Sequence, residues 1–445
     1  MIGLERWPQV KSLRQKLNGK AKAEPEFRFY VLFDKVHRRD FLEAAYAQVR
    51  ANHGAPGVDG ENFECIKSYG VGRYLAELAD ELKELRYTPQ PVRRVLIPKA
   101  GKPGQFRPLG IPTIRDRIVQ QSVKLLLEPI FEADFTDNAY GYRPGKSARD
   151  ALLDVDAAIR SNHVDYVDAD LSQYFDTIPH DDLMQSVQRR VVDRRVLWLI
   201  RHWLKVPVHE TNADGKVVIT GGKKTKRGTP QGGVISPLLA NIYFRRFLKA
   251  WEDRGLSDKL HSRVVSYADD FVILTKGRAR EALEAARAIL TKMGLRLNDE
   301  KTRTGRAWYQ TFNFLGYTFG KLYTAGGKAY LGFTPSGKSI QRYRDTVRQL
   351  TAKDQALKSA EAVAEALNRL TRGFWNYFNV GTTMENRRGL DKFLFDRTVR
   401  WAKRKYPRSR GRADRGKARF AKIEQALQML VFGRTLSRHP SVQRG

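Results

Sequence analysis

Residues 264–274 read Val-Val-Ser-Tyr-Ala-Asp-Asp-Phe-Val-Ile-Leu, with apolar runs on both sides of a short acidic centre. Such runs favour β-strands, and the Ala-Asp-Asp centre favours a tight turn between them. We therefore predict a β-hairpin that carries Asp269 and Asp270 at its tip. Two adjacent carboxylates repel each other unless a cation lies between them, and their hard oxygen atoms suit Mg²⁺. An Asp-Asp pair is also ordinary turn chemistry, so this segment alone leaves both interpretations open.

A second acidic segment precedes the first along the chain. Residues 164–171 alternate in polarity as a half-buried strand does, and an aromatic residue, Phe175, follows shortly after them. If a strand ending in Asp170 lies beside the predicted hairpin, three carboxylates meet at one place. Three such carboxylates can hold two Mg²⁺ ions, which suits an in-line displacement at a phosphorus atom. Two unrelated acidic turns are the alternative.

The charge of the chain indicates its class of partner. The 445 residues include 81 Lys and Arg against 48 Asp and Glu, a net charge of +33 at pH 7. Such an excess favours polyanions, so we expect nucleic acid as the ligand, with an anionic membrane as the weaker alternative. The single cysteine, Cys65, excludes an intramolecular disulfide framework and a Cys-rich zinc site, and indicates a reducing, cytoplasmic setting. No apolar run approaches the roughly 20 residues that span a bilayer.

The remaining pattern favours an α+β fold rather than a doubly wound sheet. Residues 92–99 and 106–111 alternate like strands around a Gly-Lys-Pro-Gly turn, which predicts a basic hairpin. The apolar spacing over residues 71–85 predicts a helix. Helical patterns return over residues 336–377 and 390–405.

These motifs and their order resemble those of a reverse transcriptase, and specifically of the group II intron-encoded reverse transcriptase/maturase family. The basic hairpin, the strand ending in Asp170 and the Tyr-Ala-Asp-Asp hairpin occur in the family's order. Other segments are equally typical of the family: GAPGVDG at 54–60, RPLGIP at 107–112, YGYRPG at 140–145, GTPQGGVISPLLAN at 228–241, NDEKT at 298–302, FLGY at 314–317 and LNRLTRGFWNYF at 367–378. The resemblance covers residues 25–405 in round numbers.

The resemblance implies roles for the acidic residues. Asp170, Asp269 and Asp270 would be the catalytic residues and would bind two Mg²⁺ ions. Asp170 is preferred to Asp168 because the aromatic Phe175 lies five residues beyond it. A bulky ring at Phe175 would collide with a ribose 2′-hydroxyl and so favour deoxynucleotides, although an ordinary core phenylalanine is the alternative. The implied activity is RNA-directed DNA synthesis.

The resemblance also implies contacts to the incoming nucleotide. Lys99 and Arg107 on the basic hairpin are expected to reach its triphosphate, with Lys102 as an alternative to Lys99. Gln231 is expected to pack near its sugar, within a segment that is turn chemistry in any case. Lys301 would assist the departure of pyrophosphate, or is an ordinary surface lysine.

Other basic residues are expected to contact nucleic-acid backbones. Arg143 is expected to touch the template, and the others belong to the helical region: Arg369, Arg372, Arg400, Lys403, Arg404 and Lys405. We expect the aromatic residues among them, Trp375, Tyr377 and Phe378, to form the core of a helical bundle instead. Residues 408–419 are rich in Arg, Gly and Lys and are predicted to order only on RNA or target DNA.

The expected architecture is a right-hand polymerase followed by a helical region. Residues 1–325 are predicted to form fingers and an antiparallel palm sheet, with an N-terminal extension over residues 1–50. Residues 326–405 are predicted to form the thumb/X (maturase) region, and residues 406–445 a basic tail. The expected partners are group II intron RNA, an RNA template with a DNA primer, target DNA and deoxynucleoside triphosphates. We expect no cleavage of the second target strand, because the paired cysteines of the family's His-Asn-His endonuclease domain do not occur in the sequence.

Two other functions stay open at this point. A domesticated group II-like reverse transcriptase, serving defence or DNA repair, would keep the enzyme without an intron of its own. An RNA-binding splicing factor would keep the binding and lose the polymerase. Three intact carboxylates argue against that loss, because uncompensated negative charge near a polyanion weakens binding. RNA-templated RNA synthesis is disfavoured by Phe175.

Overall fold

The computed structural model describes residues 3–98, 104, 106–212, 214–406, 422, 424–425 and 428–432. Three parts of the sequence with predicted nucleic-acid or nucleotide contacts lie outside these residues: Lys99, Lys102 and the segment 408–419. The α-helices are α1 (Pro8–Ala23), α2 (Phe33–Val36), α3 (Arg39–Ala51), α4 (Phe63–Tyr69), α5 (Val71–Lys83), α6 (Ile114–Glu132), α7 (Ala148–Arg160), α8 (Tyr174–Thr177), α9 (His180–Gln188), α10 (Arg194–Leu204), α11 (Ser236–Asp253), α12 (Leu256–Lys259), α13 (Ala279–Lys292), α14 (Gly337–Leu350), α15 (Ala360–Tyr377) and α16 (Met384–Lys405).

The strands alternate with these helices through most of the chain. They are β1 (Val92–Pro98), β2 (Phe106–Ile111), β3 (Asp165–Asp170), β4 (Pro207–Thr211), β5 (Val217–Gly221), β6 (Ser262–Tyr267), β7 (Asp270–Thr275), β8 (Arg303–Arg306), β9 (Phe312–Phe314), β10 (Tyr317–Tyr323) and β11 (Ala329–Pro335). The fold is thus a mixture of helix and sheet that ends in a helical region, which confirms the prediction at that level.

The chain forms two compact units. The first comprises residues 1–151 and 169–304, and the second comprises residues 152–168 and 305–445. The chain passes between them within α7, β3 and β8.

The first unit is built around α6, a helix that is buried on almost every side. Ile118, Val119 and Leu126 are fully buried, and α1 and α3 pack against the helix. The side chain of Thr113 caps its first turn by accepting a hydrogen bond from the backbone N–H of Asp116 at 3.1 Å. Because only two residues separate β2 from α6, this buried helix anchors the strand that precedes it.

The predicted basic hairpin is confirmed. Strands β1 and β2 pair antiparallel, with Leu96 opposite Pro108 and Ile97 opposite Arg107. The hairpin belongs to a four-stranded sheet in the order β2-β1-β4-β5, in which β4 runs parallel to β1. Strands β4 and β5 were not predicted from the sequence.

The acidic hairpin also forms as predicted. Strands β6 and β7 pair antiparallel, and Tyr267 lies opposite Asp270 at the tip. Ala268 makes the reversal possible with a left-handed backbone, at φ 59°. Behind the hairpin, the ring of Phe271 lies 5.2 Å from that of Phe247 on α11. This aromatic packing fixes the hairpin, whose tip carries the two acidic residues, against α11.

The second unit has its own sheet and its own core. Strands β9, β10 and β11 form an antiparallel sheet in the order β11-β10-β9. The ring of Phe319 stacks between Phe312 and Phe333, with centroids 5.1 Å and 4.8 Å away. Strand β11 lies in the segment that we predicted to be helical from residue 326, so the prediction is wrong there. The turn before it explains the difference, because Gly327 adopts φ 79° and closes a hairpin with β10.

Helices α14, α15 and α16 follow that sheet. Trp375 is fully buried beneath the guanidinium of Arg387, 4.9 Å from the ring centroid, and Phe378 is also buried. Both positions confirm the predicted core. Tyr377 does not, because it is 44% exposed and its hydroxyl donates to the carbonyl of Leu315. Among the residues described, no helix is both long enough and apolar enough to cross a bilayer.

Candidate active site

The first acidic residue of the site, Asp170, is the last residue of β3. Its carboxylate accepts a hydrogen bond from the ammonium of Lys301, with 2.6 Å between Oδ2 and Nζ. Its backbone carbonyl accepts from the N–H of Asn298 at 2.8 Å, which begins the turn that carries Lys301. The backbone and the side-chain contact therefore bring Lys301 to Asp170 although 131 positions separate them in the sequence.

The second acidic residue, Asp269, lies in the tip of the β6–β7 hairpin, and Asp270 begins β7. Burial raises the pKa of the Asp269 carboxyl above its ordinary value, and the negative charge of Asp170 adds to the rise. The positive charges of Arg107 and Lys301 oppose it. These couplings place Asp269 within electrostatic reach of three other predicted site residues.

Strands β7 and β3 are neighbours in one sheet, in the order β6-β7-β3-β8. The donor set suits a hard divalent cation, because it consists of carboxylate oxygens near the end of β3 and the start of β7. The side chains do not yet form a ligand set, however. Among the described residues, no group of three or more His, Cys, Asp or Glu side chains is arranged to hold a metal ion. The ammonium of Lys301 instead occupies one oxygen of Asp170. Residue type therefore fits Mg²⁺, and the present side-chain positions do not.

Arg107, whose charge acts on Asp269, also lines a cavity of about 630 Å³. Its lining includes Arg107 and Leu109 of β2, Phe175 of α8, Tyr142, and Gln231 with the two glycines after it. Phe175 is buried, at 7% exposure, and still contributes to the cavity wall. The predicted aromatic residue and two predicted nucleotide contacts thus share one cavity.

Gln231 links two sides of this cavity. Its Oε1 accepts from Nε of Arg107 at 3.2 Å, and its Nε2 donates to Oδ2 of Asp176 at 2.9 Å. Asp176 directly follows Phe175, so the amide connects the basic hairpin to the segment after β3. The role of Asp176 was missed from the sequence, where a lone acidic residue in a helical turn carries no signal.

The backbone around Gln231 is packed too closely for larger residues. The N–H of Gly110 donates to the carbonyl of Gln231 at 2.5 Å. Gly232 has φ 108°, and a Cβ atom there would lie 2.1 Å from the carbonyl oxygen of Gly110. A ring nitrogen of His180 lies 2.7 Å from the carbonyl oxygen of Gly228, the first residue of the same loop. These contacts therefore hold the loop in place at Gly228 and at Gln231.

Tyr142 is a further cavity residue for which the sequence predicted no role. It has a left-handed backbone, at φ 56°, and is 51% exposed. The sequence did contain a signal for this residue. Tyr142 lies between a glycine and an Arg-Pro pair, which indicates a turn rather than a buried strand.

The prediction for Arg143 is wrong. Its side chain is only 4% exposed and forms an ion pair with Glu132 at 2.7 Å. The same guanidinium donates to the carbonyls of Thr136 and Ala139. It therefore stabilises the loop after α6 and is not available to a template phosphate.

The predicted nucleic-acid contacts of the second unit differ in their accessibility. Five of them are exposed on α15 and α16 and stay predictions: Arg369, Arg372, Arg400, Lys403 and Arg404. Arg369 pairs with Glu365 one turn earlier, at 3.2 Å. Lys405 is partly buried, and its ammonium donates to the carbonyl of Lys358 at 2.6 Å. Part of the role of Lys405 is thus to fasten the end of α16.

Comparison with known proteins gives matches over both units. Residues 97–319 match the family described as reverse transcriptase (RNA-dependent DNA polymerase). Residues 340–420 match the family described as group II intron, maturase-specific domain.

Individual relatives span different lengths. The protein YkfC of Escherichia coli is 34% identical over 347 residues, which cover 69% of this chain and 87% of YkfC. The group II intron-encoded protein LtrA of Lactococcus lactis is 34% identical over 228 residues, which cover 50% of this chain and 35% of LtrA. An uncharacterized 91 kDa protein in a cob intron of Schizosaccharomyces pombe is 25% identical over 78% of this chain and 50% of its own length.

Proposed function

Because the chain belongs to the group II intron-encoded reverse transcriptase and maturase family, we propose that it binds a group II intron RNA, assists its splicing and copies it into DNA. RNA-directed DNA polymerase is the activity of the first of its two matched families. The second family is a maturase domain, which places intron RNA among the partners.

One observation carries the proposal for the site. Arg107, Phe175 and Gln231 come from three separate sequence motifs, and they line one cavity of about 630 Å³. Arg107 lines that cavity, and its positive charge also opposes the rise in the pKa of Asp269, which relates the cavity to the acidic hairpin. A binding protein that had lost its polymerase would have no reason to keep this combination, so the splicing factor without an enzyme is not favoured.

The proposed roles follow from the chemistry of each side chain. Asp170, Asp269 and Asp270 would hold the divalent ions, which supply charge stabilisation to the transferring phosphoryl group when bound. Arg107 offers bidentate geometry to the triphosphate. Phe175 closes the cavity where a ribose 2′-hydroxyl would enter, and Gln231 holds the loop beside it. Lys301 occupies one oxygen of Asp170, so a divalent ion would either bind the other oxygen or replace the ammonium.

We assign the larger regions in the same way. Residues 1–325 are proposed as fingers and palm, residues 326–405 as the thumb/X region and residues 406–445 as a basic tail. An RNA template with a DNA primer, target DNA and deoxynucleoside triphosphates complete the proposed partners. The proposed place of action is the cytoplasm.

Primer extension on an RNA template tests the proposal. Deoxynucleotides and Mg²⁺ are supplied, and the wild type is compared with Asp269→Asn and with the matched control Asp258→Asn, which changes an exposed aspartate on α12. We expect extension by the wild type and the control and none by Asp269→Asn. Tight, salt-sensitive RNA binding by a wild type that does not extend primers would replace the proposal with a binding-only maturase.

A further inference from the structure

The first unit contains a second cavity that shares no lining residue with the one described above. Its volume is about 370 Å³, and α2, α5 and α10 contribute to it together with residues just after α5. Most of its wall is apolar or aromatic: Phe33, Leu82, Leu85, Tyr87, Trp198 and Leu199. Two basic residues, Arg194 and Arg195, complete it.

The inner part of this cavity is closely packed. Phe33, Leu82 and Tyr87 are each at most 5% exposed. The hydroxyl of Tyr87 donates to Asp116 at 2.6 Å, so the polar end of this side chain is satisfied inside the protein. The ring is therefore held in place by both packing and a hydrogen bond, and the cavity does not have to be organised by its ligand.

The outer part combines an exposed indole with positive charge. Trp198 is 39% exposed. One neighbour, His202, packs against it in a tilted arrangement, with centroids 3.8 Å apart and an interplanar angle of 34°. The guanidinium of Arg195 lies 5.5 Å from the ring centroid of Phe33, and Arg194 is exposed beside it.

Flat aromatic walls with guanidinium groups at the rim fit a flat, aromatic ligand that carries negative charge. Proteins read single-stranded RNA by stacking unpaired bases on aromatic rings and on arginine planes. The volume lies near the lower end of the range for small-ligand sites, which suits one base with its sugar. We propose that this cavity receives one unpaired nucleobase of a structured RNA.

The alternative occupant is an acidic amphipathic helix of a protein partner. Such a helix inserts apolar anchors from successive turns and needs an elongated groove. One compact cavity offers room for a single anchor, so the nucleobase fits better. The proposal rests on the RNA binding of the maturase function and is independent of polymerase chemistry.

The test uses the full chain and a short RNA hairpin with a single-stranded loop. A 2-aminopurine base in the loop reports stacking through loss of its fluorescence, and anisotropy gives the Kd. The variants are Trp198→Ala and Trp198→Phe, which keeps a ring. The matched control is Trp308→Ala, because Trp308 has a similar exposure, 36%, and lies in the second unit.

We expect Trp198→Ala to weaken binding of the hairpin by about fivefold or more. This factor is the lower end of the range of affinity losses expected when one stacked base loses its aromatic partner. The variant should also restore 2-aminopurine fluorescence, whereas Trp198→Phe should keep most of the affinity and the quenching. The slope of affinity against salt should not change for Trp198→Ala and should fall for Arg194→Ala, because only the second removes a charge.

Two results would overturn the proposal. One is that Trp198→Ala loses as much affinity for a fully paired duplex without a loop as it loses for the hairpin, since a duplex offers no free base. The other is unchanged hairpin binding by Trp198→Ala, in which case an acidic protein segment becomes the occupant to seek. Primer extension by Trp198→Ala on a short template should match the wild type, so failure of this proposal is distinguishable from failure of the polymerase.

Discussion

The ammonium of Lys301 lies 2.6 Å from an oxygen of Asp170, a carboxylate that the proposed reaction needs as a metal ligand. The side chains of this pair are about half exposed, 55% for Lys301 and 42% for Asp170. An ion pair at that exposure contributes only about 0–1 kcal/mol. The contact is therefore strong enough to orient Asp170 and weak enough to be replaced by a divalent ion.

A first prediction concerns this competition. Lys301→Met removes the ammonium, and we expect Mn²⁺ to bind about two- to fivefold more tightly, because the ion no longer displaces a cation. Lys301→Arg keeps the charge and should leave the affinity near that of the wild type. Electron paramagnetic resonance of free Mn²⁺ measures both. Equal affinities for the methionine variant and the wild type would mean that Lys301 does not compete for Asp170.

A second prediction concerns the choice of sugar. Phe175→Ala opens the cavity wall, so incorporation of ribonucleotides relative to deoxynucleotides should rise by roughly tenfold or more in kcat/KM. Phe175→Tyr keeps the ring and should keep the discrimination. Single-nucleotide incorporation on an RNA template measures both ratios. If Phe175→Ala discriminates as well as the wild type, Phe175 is an ordinary core residue.

A third prediction concerns the loop of Gln231. Gly232→Ala places a methyl group against the carbonyl of Gly110 in a left-handed backbone, and we expect a loss of about 2 kcal/mol or more in the free energy of unfolding. The control is Gly337→Ala in the first turn of α14, where a Cβ atom meets nothing within 4 Å. Urea unfolding should show the control at or slightly above wild-type stability. Equal stability of the two variants would mean that the loop can relax.

A fourth prediction concerns pH. Burial lowers the pKa of His180 below its ordinary value of 6.5, and its hydrogen bond to Gly228 is the main opposing cause. As the pH falls towards 6.5 and below it, His180 therefore binds a proton more readily in the unfolded chain than in the folded one, and the free energy of unfolding decreases. The wild type should lose more stability than His180→Gln between about pH 7.5 and about pH 5.5. Parallel losses in urea titrations would contradict the assignment of this effect to His180.

Some features of the site could be predicted from the sequence, and others could not. The hairpin that carries Asp269 was predicted from the apolar runs on both sides of its Ala-Asp-Asp turn. The strand that ends in Asp170 was predicted from its alternation of polar and apolar residues. The pairing of Asp170 with Lys301 depends on packing across 131 positions, which no local pattern encodes. For Arg143 the sequence predicted a contact that the structure does not support. An arginine in a loop is expected to be exposed, and only the fold shows that Arg143 is buried in an ion pair with Glu132.

Strands β4 and β5 were missed for a different reason. Each has only five residues, and β5 is exposed along its whole length, so neither shows a clear apolar alternation. Their pairing beside β1 is a tertiary effect. The role of Asp176 was missed likewise, because only the fold brings it to Gln231.

We propose that the cavity of Arg107, Phe175 and Gln231 holds the incoming nucleotide. The equilibrium Kd of the next complementary deoxynucleotide, on a chain-terminated primer paired with RNA, tests this directly. Arg107→Ala should weaken this Kd by about tenfold or more, as expected for a lost charge-assisted contact to phosphate, and leave primer–template binding nearly unchanged. A nucleotide Kd for Arg107→Ala equal to that of the wild type would place the nucleotide elsewhere and contradict the account.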